Sequence, residues 1–191
     1  MSNFTDLFPA VSSNNVLEMI CGIGDGRTVH GVTNSYTMGT AAAIELTTSY
    51  QDMQGSSIDY ILPDGANYVH YEYIVKWAAR DYSGICNWRL YFDGYEVNSA
   101  FVSNASSYGS SNHGHHLVYI NWVFDLTVSA TDYTDGKILK SDWTGAKNIK
   151  VMAREYSSSY EARAHWTTWR DGSSSGYPFL DVPLLTVTAY S

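Results

Sequence analysis

His113, His115 and His116 stand within four residues of one another in a Ser/Gly-rich stretch, and they are the side chains whose clustering most suggests chemistry. Imidazole nitrogen is a common ligand for zinc, nickel or copper, but a site needs several donors converging on one ion. No carboxylate or Cys lies at ligand spacing from the three, so the expected state is an unliganded surface loop. A metal there would require copies of the loop to meet on a symmetry axis, in a structural role. Gly22-Ile-Gly24-Asp-Gly26 shares part of a dinucleotide-loop pattern. The full fingerprint opens a helix and places an acidic residue roughly 20 positions on. Here Thr28-Val-His-Gly-Val-Thr33 continues as strand, so the expectation is a Gly-rich hairpin turn. Ser is too frequent for its co-occurrence with His and Asp to define a triad, and no Gly-x-Ser-x-Gly elbow is present. Asp132 with Asp135, and Asp93 with Glu96, fall in turns, where solvated carboxylates are ordinary. The chain is therefore read as a non-enzyme, with no cofactor implied.

Aromatic side chains near the C-terminal end form the second candidate. Tyr156, Tyr160, Trp166, Trp169 and Tyr177 flank Ser/Gly segments. Such rings stack on sugars in glycan-binding surfaces, and they also fill subunit interfaces. Strand alternation puts Trp166 and Thr168 on one face, with His165, Thr167 and Trp169 on the other. A strand with Trp on both faces calls for a core on one side and a partner on the other. Trp166 and Trp169 are accordingly assigned to an interface, while Tyr156, Tyr160, Trp169 and Tyr177 form the glycan-binding alternative. Phe4, Leu7 and Phe8 join the interface set, because three such side chains in five residues are costly to leave in water.

The elements that must position these residues are strands. Tyr68–Trp77 alternates strictly, with Val69, Tyr71, Tyr73, Val75 and Trp77 on one face. Ile85–Phe92 repeats the pattern with Cys86, Trp88, Leu90 and Phe92, and Asp93-Gly94 then joins it to Tyr95–Val102 as a hairpin. Pro63-Asp-Gly65 is a turn in which Pro presets the first corner. Further strands are expected at Val16–Cys21, Arg27–Thr33, Ala43–Thr48, Ile58–Leu62, Leu117–Val128, Asn148–Glu155, Ala162–Arg170 and Leu180–Tyr190. Ser103–His116, Asp132–Trp143 and Asp171–Tyr177 read as loops. No amphipathic helix of useful length intervenes. Short strands at this spacing imply an all-β, two-sheet antiparallel sandwich, with a jelly roll as the expected topology. Residues 1–15 form an N-terminal arm and residues 16–191 the domain.

Composition narrows the partners. The chain has 191 residues, enough for one domain with a sizeable core, and a net charge of −8. That charge argues against nucleic acid, which recruits clustered Lys and Arg. Sixteen Tyr and six Trp suit strand faces and recognition surfaces alike. Cys21 and Cys86 both sit in strand-like runs, so two buried free thiols are favoured over one disulfide. The start lacks the basic and apolar regions of a signal peptide, and no apolar run approaches a membrane span.

A resemblance adds to this reading. Gly55-Ser-Ser-Ile-Asp-Tyr60 running into Pro63-Asp-Gly65, then Tyr71-Glu-Tyr73, is similar to virion or fibre-like structural proteins of marine phages and large algal viruses. Trp88-Arg-Leu-Tyr-Phe-Asp-Gly94 with Glu96-Val97, Ala153-Arg-Glu-Tyr-Ser157 and Leu185-Thr-Val-Thr-Ala189 extend the likeness, which runs from about Val16 to Ser191. These are strand-and-turn motifs without a catalytic residue. The resemblance implies a jelly roll like those of tumour-necrosis-factor and C1q domains, commonly trimeric, located on the virion and in contact with capsid or tail proteins. The chain has no coiled-coil or repeat shaft, which favours capsid decoration or cement over a long fibre. A receptor-binding tip for host surface glycans is the alternative.

Overall fold

The computed structural model describes residues 15–79, 83–107, 115–167 and 179–191. In chain order the strands are Val16–Ile23 (β1), Thr28–His30 (β2), Ser35–Thr37 (β3), Ile44–Glu45 (β4), Gln51–Asp52 (β5), Ile58–Ile61 (β6), Tyr68–Ala79 (β7) and Ser83–Phe92 (β8). Tyr95–Ser107 (β9), His115–Asp125 (β10), Ala146–Glu155 (β11), Ala162–Ala164 (β12), Trp166–Thr167 (β13), Phe179–Leu180 (β14) and Leu184–Tyr190 (β15) complete them. Among the described residues no helix is long and apolar enough to cross a membrane.

The alternating run on β7 organises the first sheet. Val69, Tyr71, Tyr73, Val75 and Trp77 are each at most 1% exposed, while the residues between them are half-buried on the outer face. One edge of β7 pairs with β10 along its length. The other pairs with β15 over residues 68–74 and with β12 over residues 77–79. β1 lies beyond β15, and β4 beyond β12. In the second sheet β11 is flanked by β8 on one side and by β5 and β6 on the other, and β9 closes the edge. Counting β5 with β6 as one interrupted strand, the principal strands run 1-8-3-6 in one sheet and 2-7-4-5 in the other, all antiparallel. That interleaving is a jelly roll.

Cys86, Trp88, Leu90 and Phe92 of β8 meet the β7 face across the core, each at most 1% exposed. Trp143 plugs one end, packed 4.7 Å from Phe92 and 6.2 Å from Tyr60 between ring centroids. The break between β5 and β6 is stitched rather than loose. Ser56 Oγ accepts the Val151 amide at 3.0 Å and donates to the Met53 carbonyl at 2.6 Å. From the opposite sheet, Tyr71 donates to the Ser56 carbonyl at 2.6 Å and Tyr73 to the Gln54 carbonyl at 3.0 Å. Burial drives both tyrosine hydroxyls well above their ordinary pKa, so they remain donors.

Several boundaries differ from the sequence expectation. β9 extends to Ser107 and β10 begins at His115, so both ends of the expected Ser103–His116 loop are strand, and residues 108–114 lie outside the described residues. Ladder bonds are made by backbone, which tolerates Ser and Asn on an exposed edge. The Gly22–Gly26 segment turns, with Gly26 at φ +83°, but closes no hairpin. Its flanking strands find different partners, β15 for β1 and β3 for β2. Asp93 and Gly94 do form the expected tight turn, both at positive φ. The Pro63–Ala66 bond places Asp64, not Pro63, at the first corner of its turn. The expected 132–143 loop carries two 3-10 turns, Tyr133–Asp135 and Lys140–Asp142. Both cysteines are free, yet Cys21 is exposed because it points outward from β1, contrary to the expected burial.

The expected Ala162–Arg170 strand breaks at His165, which adopts φ +56°. Its amide donates to the Lys76 carbonyl and its carbonyl accepts from Asp181. The expected Leu180–Tyr190 strand breaks opposite it, where Pro183 has no N–H to give a ladder. The His165 ring is fully buried and lies 3.4 Å from the Tyr73 hydroxyl. Burial depresses its pKa to about 4, with the Asp181 and Gln54 carbonyls and the Asp181 charge opposing.

Two outcomes follow for stability. Ser56→Ala strands the buried Val151 amide and costs about 1–3 kcal/mol in denaturant unfolding, whereas Tyr71→Phe, which leaves only a carbonyl short, costs about 1 kcal/mol. His165 takes up protons more readily unfolded (6.5) than folded (about 4). Its contribution is therefore complete above pH 6.5 and is lost progressively as pH falls to 4, up to about 3 kcal/mol. His165→Asn, which tolerates the left-handed backbone, should flatten that part of a stability-versus-pH curve.

Candidate functional site

The outer face of the first sheet is the surface that water covers least comfortably. The registers align four rows across β1, β15, β7 and β10. Ile23, Leu184, Ile74 and Tyr119 form one row, and Cys21, Thr186, Glu72 and Asn121 the next. Met19, Thr188, His70 and Val123 follow, then Val16, Tyr190, Tyr68 and Asp125. Met19 and Tyr119 are 60% exposed, Val16 57%, Leu117 55% and Val123 48%. The exposure of Leu117, Tyr119 and Val123 arises from β10 being apolar on both faces. Val118, Ile120 and Phe124 fill the core, while Leu117, Tyr119 and Val123 have no partner layer among the described residues. Exposed apolar side chains gathered on one face make it the candidate interaction surface.

Polar groups on this face satisfy one another. His70 Nε2 and Asn121 Oδ1 are 2.8 Å apart, with Glu72 3.9 Å from His70 Nδ1. The Thr186 hydroxyl donates to the Cys21 sulfur at 3.6 Å. Toward one end Tyr68, His70, Val123 and Tyr190 line an apolar groove of about 340 Å³.

The opposite outer face, on the second sheet, differs in kind. Arg89 sits 4.5 Å from the Tyr50 ring centroid and 5.9 Å from that of Phe101, and Arg154 lies 5.2 Å from Tyr50. Arg89 pairs with Glu96, Lys150 with Asp52 and Lys147 with Asp93. Charge on that face is largely neutralised within the molecule. Where β4, β12 and the end of β11 meet, Glu45, Glu155, Glu161 and Arg163 line a cavity of about 150 Å³. Glu155 has a carboxyl raised by burial, and Arg163 pairs with Glu45 at 2.8 Å.

Of the residues singled out from sequence, the described ones lie in separate places. Phe4, Leu7, Phe8, His113, Trp169 and Tyr177 lie outside the described residues. His115 and His116 are neighbours on β10, where successive side chains point to opposite faces, so they do not chelate one ion together. His116 instead bonds the Ser106 hydroxyl at 2.9 Å and packs on Trp77. Among the described residues no three His, Cys, Asp or Glu side chains are placed to hold a metal. Trp166 is half-buried beneath the Arg163 guanidinium, 4.2 Å from its ring centroid. His165 breaks the expected strand, so Trp166 and Thr167 belong to the separate short strand β13, and Thr168 and Trp169 lie outside the described residues. Tyr156 and Tyr160 are exposed and meet edge-on at 6.2 Å after β11.

The outer face of β10 was the site missed from sequence, although its signal is present. Leu117-Val-Tyr-Ile-Asn-Trp-Val123 alternates between two sets that are both largely apolar, so a strand here has more apolar surface than one core layer covers.

No protein-family model matches the chain, and no curated protein matches it in sequence. Among solved structures, one of the infectious bursal disease virus Gx strain aligns over 91% of this chain at 12% identity and a TM-score of 0.29. One of the Gt strain aligns over 83% at 10% identity and a TM-score of 0.16. The chain spans 36% and 43% of those two chains, and at such TM-scores neither likeness carries an argument about this protein.

Proposed function

We propose that the protein is a structural subunit of a virus particle. Residues 16–191 form its jelly-roll domain, and copies associate as a trimer through the outer face of the β1–β15–β7–β10 sheet. The subunit is displayed on the virion as capsid decoration or a short fibre, in contact with capsid or tail proteins. The observation that carries association is the apolar outer face, where Met19, Leu117 and Tyr119 stand more than half exposed. Removing them from water between copies supplies the driving force, while the polar Glu72–His70–Asn121 seam restricts register. The virion location rests on the strand-and-turn resemblance of residues 16–191.

Light scattering is expected to give three chains per particle in solution. Tyr119→Glu and Leu117→Glu face outward and spare the core, so each should reduce the mass to one chain without unfolding it. A wild-type chain that runs as a single molecule at every concentration, and never sediments with virions, would end this reading.

The glycan-binding alternative is favoured by one observation, the exposed Tyr156–Tyr160 pair. It predicts saturable adhesion to host polysaccharide, weakened roughly tenfold or more by Tyr156→Ala with the fold intact, since truncating an aromatic anchor of a binding surface costs about 1–2 kcal/mol or more. Absence of adhesion at high concentration discards it.

A further inference from the structure

We infer that the groove between Tyr68, His70, Val123 and Tyr190 is the seat of the same chain's N-terminal segment, with Phe4, Leu7 and Phe8 as the side chains that fill it. The inference does not rest on the trimer reading: the groove occupies one end of the same outer face, and the segment would cover Val123 there while Leu117 and Tyr119 stay open to another copy.

Position is the first argument. The described chain begins at Asn15, whose carbonyl accepts from the Ser191 amide at 3.0 Å and whose amide donates to the Ser191 hydroxyl at 3.2 Å. Val16 then pairs with Tyr190, and Tyr190 with Tyr68, two of the groove's walls. The segment before Asn15 is thus delivered to the same end of the sheet as the groove. Three strand spacings separate β1 from β10, roughly 14 Å. Phe8 is seven residues before Asn15 and reaches up to roughly 23 Å when extended, so the chain has slack to cross the sheet.

Chemistry is the second argument. The groove's walls are two tyrosine rings and a valine, and its imidazole is already bonded to Asn121. It therefore offers apolar contact without an unmet polar demand. A dry apolar cavity of ~150 Å³ holds one benzene ring, so a groove of about 340 Å³ accepts a phenyl group readily. Residues 1–14 supply two phenyl groups and a leucine. In an extended crossing Phe4 and Phe8 share one side, the arrangement that a sheet face selects.

The test uses the full chain carrying Cys21→Ser, which removes the exposed thiol and leaves Cys86 buried. Val123→Cys places a reporter thiol in the groove, and Leu117→Cys places a control at the far end of the same outer face. With the native N-terminal segment, maleimide labelling at position 123 should be roughly tenfold slower than in a chain also carrying Phe4→Asp, Leu7→Asp and Phe8→Asp, because reactivity follows exposure. Labelling at position 117 should be equal in the two. Equal rates at position 123 overturn the inference. A second measurement fixes the chain of origin: Phe8→Cys or Leu7→Cys combined with Val123→Cys should, on mild oxidation, give a disulfide within one chain, seen as monomer mass under denaturing conditions. A disulfide that joins two chains, or none with either partner, overturns it.

Discussion

Two tyrosine hydroxyls set the conditions under which this sandwich closes. Tyr71 and Tyr73 lie in the middle of the central strand of the first sheet, fully removed from water. A buried hydroxyl without a partner costs more than the bond itself returns, so each must find an acceptor inside the core. The acceptors are the Ser56 and Gln54 carbonyls, freed because the second strand of the jelly roll breaks between Asp52 and Ile58. Ser56 then replaces the lost ladder with its own side chain against Val151. The break, the serine and the tyrosines are one solution: each polar group exposed by one part is used by another.

The same network explains the His165 kink. Its ring reaches the Tyr73 hydroxyl from the other side, and its backbone bridges Lys76 and Asp181 where β12 ends and β15 has yet to begin. Two chain segments thereby share one edge of β7 without a continuous strand. Outside the kink, the Lys76 amine donates to the Thr167 hydroxyl, which donates to Asp181. The polar atoms that the missing ladder would have satisfied are met locally instead.

Sequence disclosed the parts of this design that depend on period-two burial. The inward sets of β7 and β8 were legible residue by residue, as was the Asp93-Gly94 hairpin, because each is dictated by local pattern. The breaks were not legible. A histidine at positive φ leaves no compositional mark, and whether Ser56 is turn filler or a core bond depends on what faces it from 95 residues away. Cys21 was misplaced for a related reason: alternation assigns a strand two faces but does not say which face is inward when both carry apolar residues. The candidate surface was half legible. The doubly apolar run Leu117–Val123 carried it, and the same rule was applied to Trp166 and Trp169, of which Trp166 opens a separate short strand after the His165 kink and Trp169 lies outside the described residues.

Charge then decides which surface is free to associate. A chain with net charge −8 repels its copies, yet that repulsion is screened beyond about 8 Å at physiological ionic strength. Its reach is therefore local, and what matters is the charge lining each face. On the second sheet, cations and carboxylates are paired across short distances, so bringing another copy there would strip water from ions already satisfied. On the first sheet the most exposed side chains are Met, Leu, Tyr and Val, and the carboxylates among its rows, Glu72 and Asp125, are few, so covering it desolvates fewer ions. Desolvation thus opposes contact at one face and favours it at the other. In the proposed association, this asymmetry rather than any single residue would select the face.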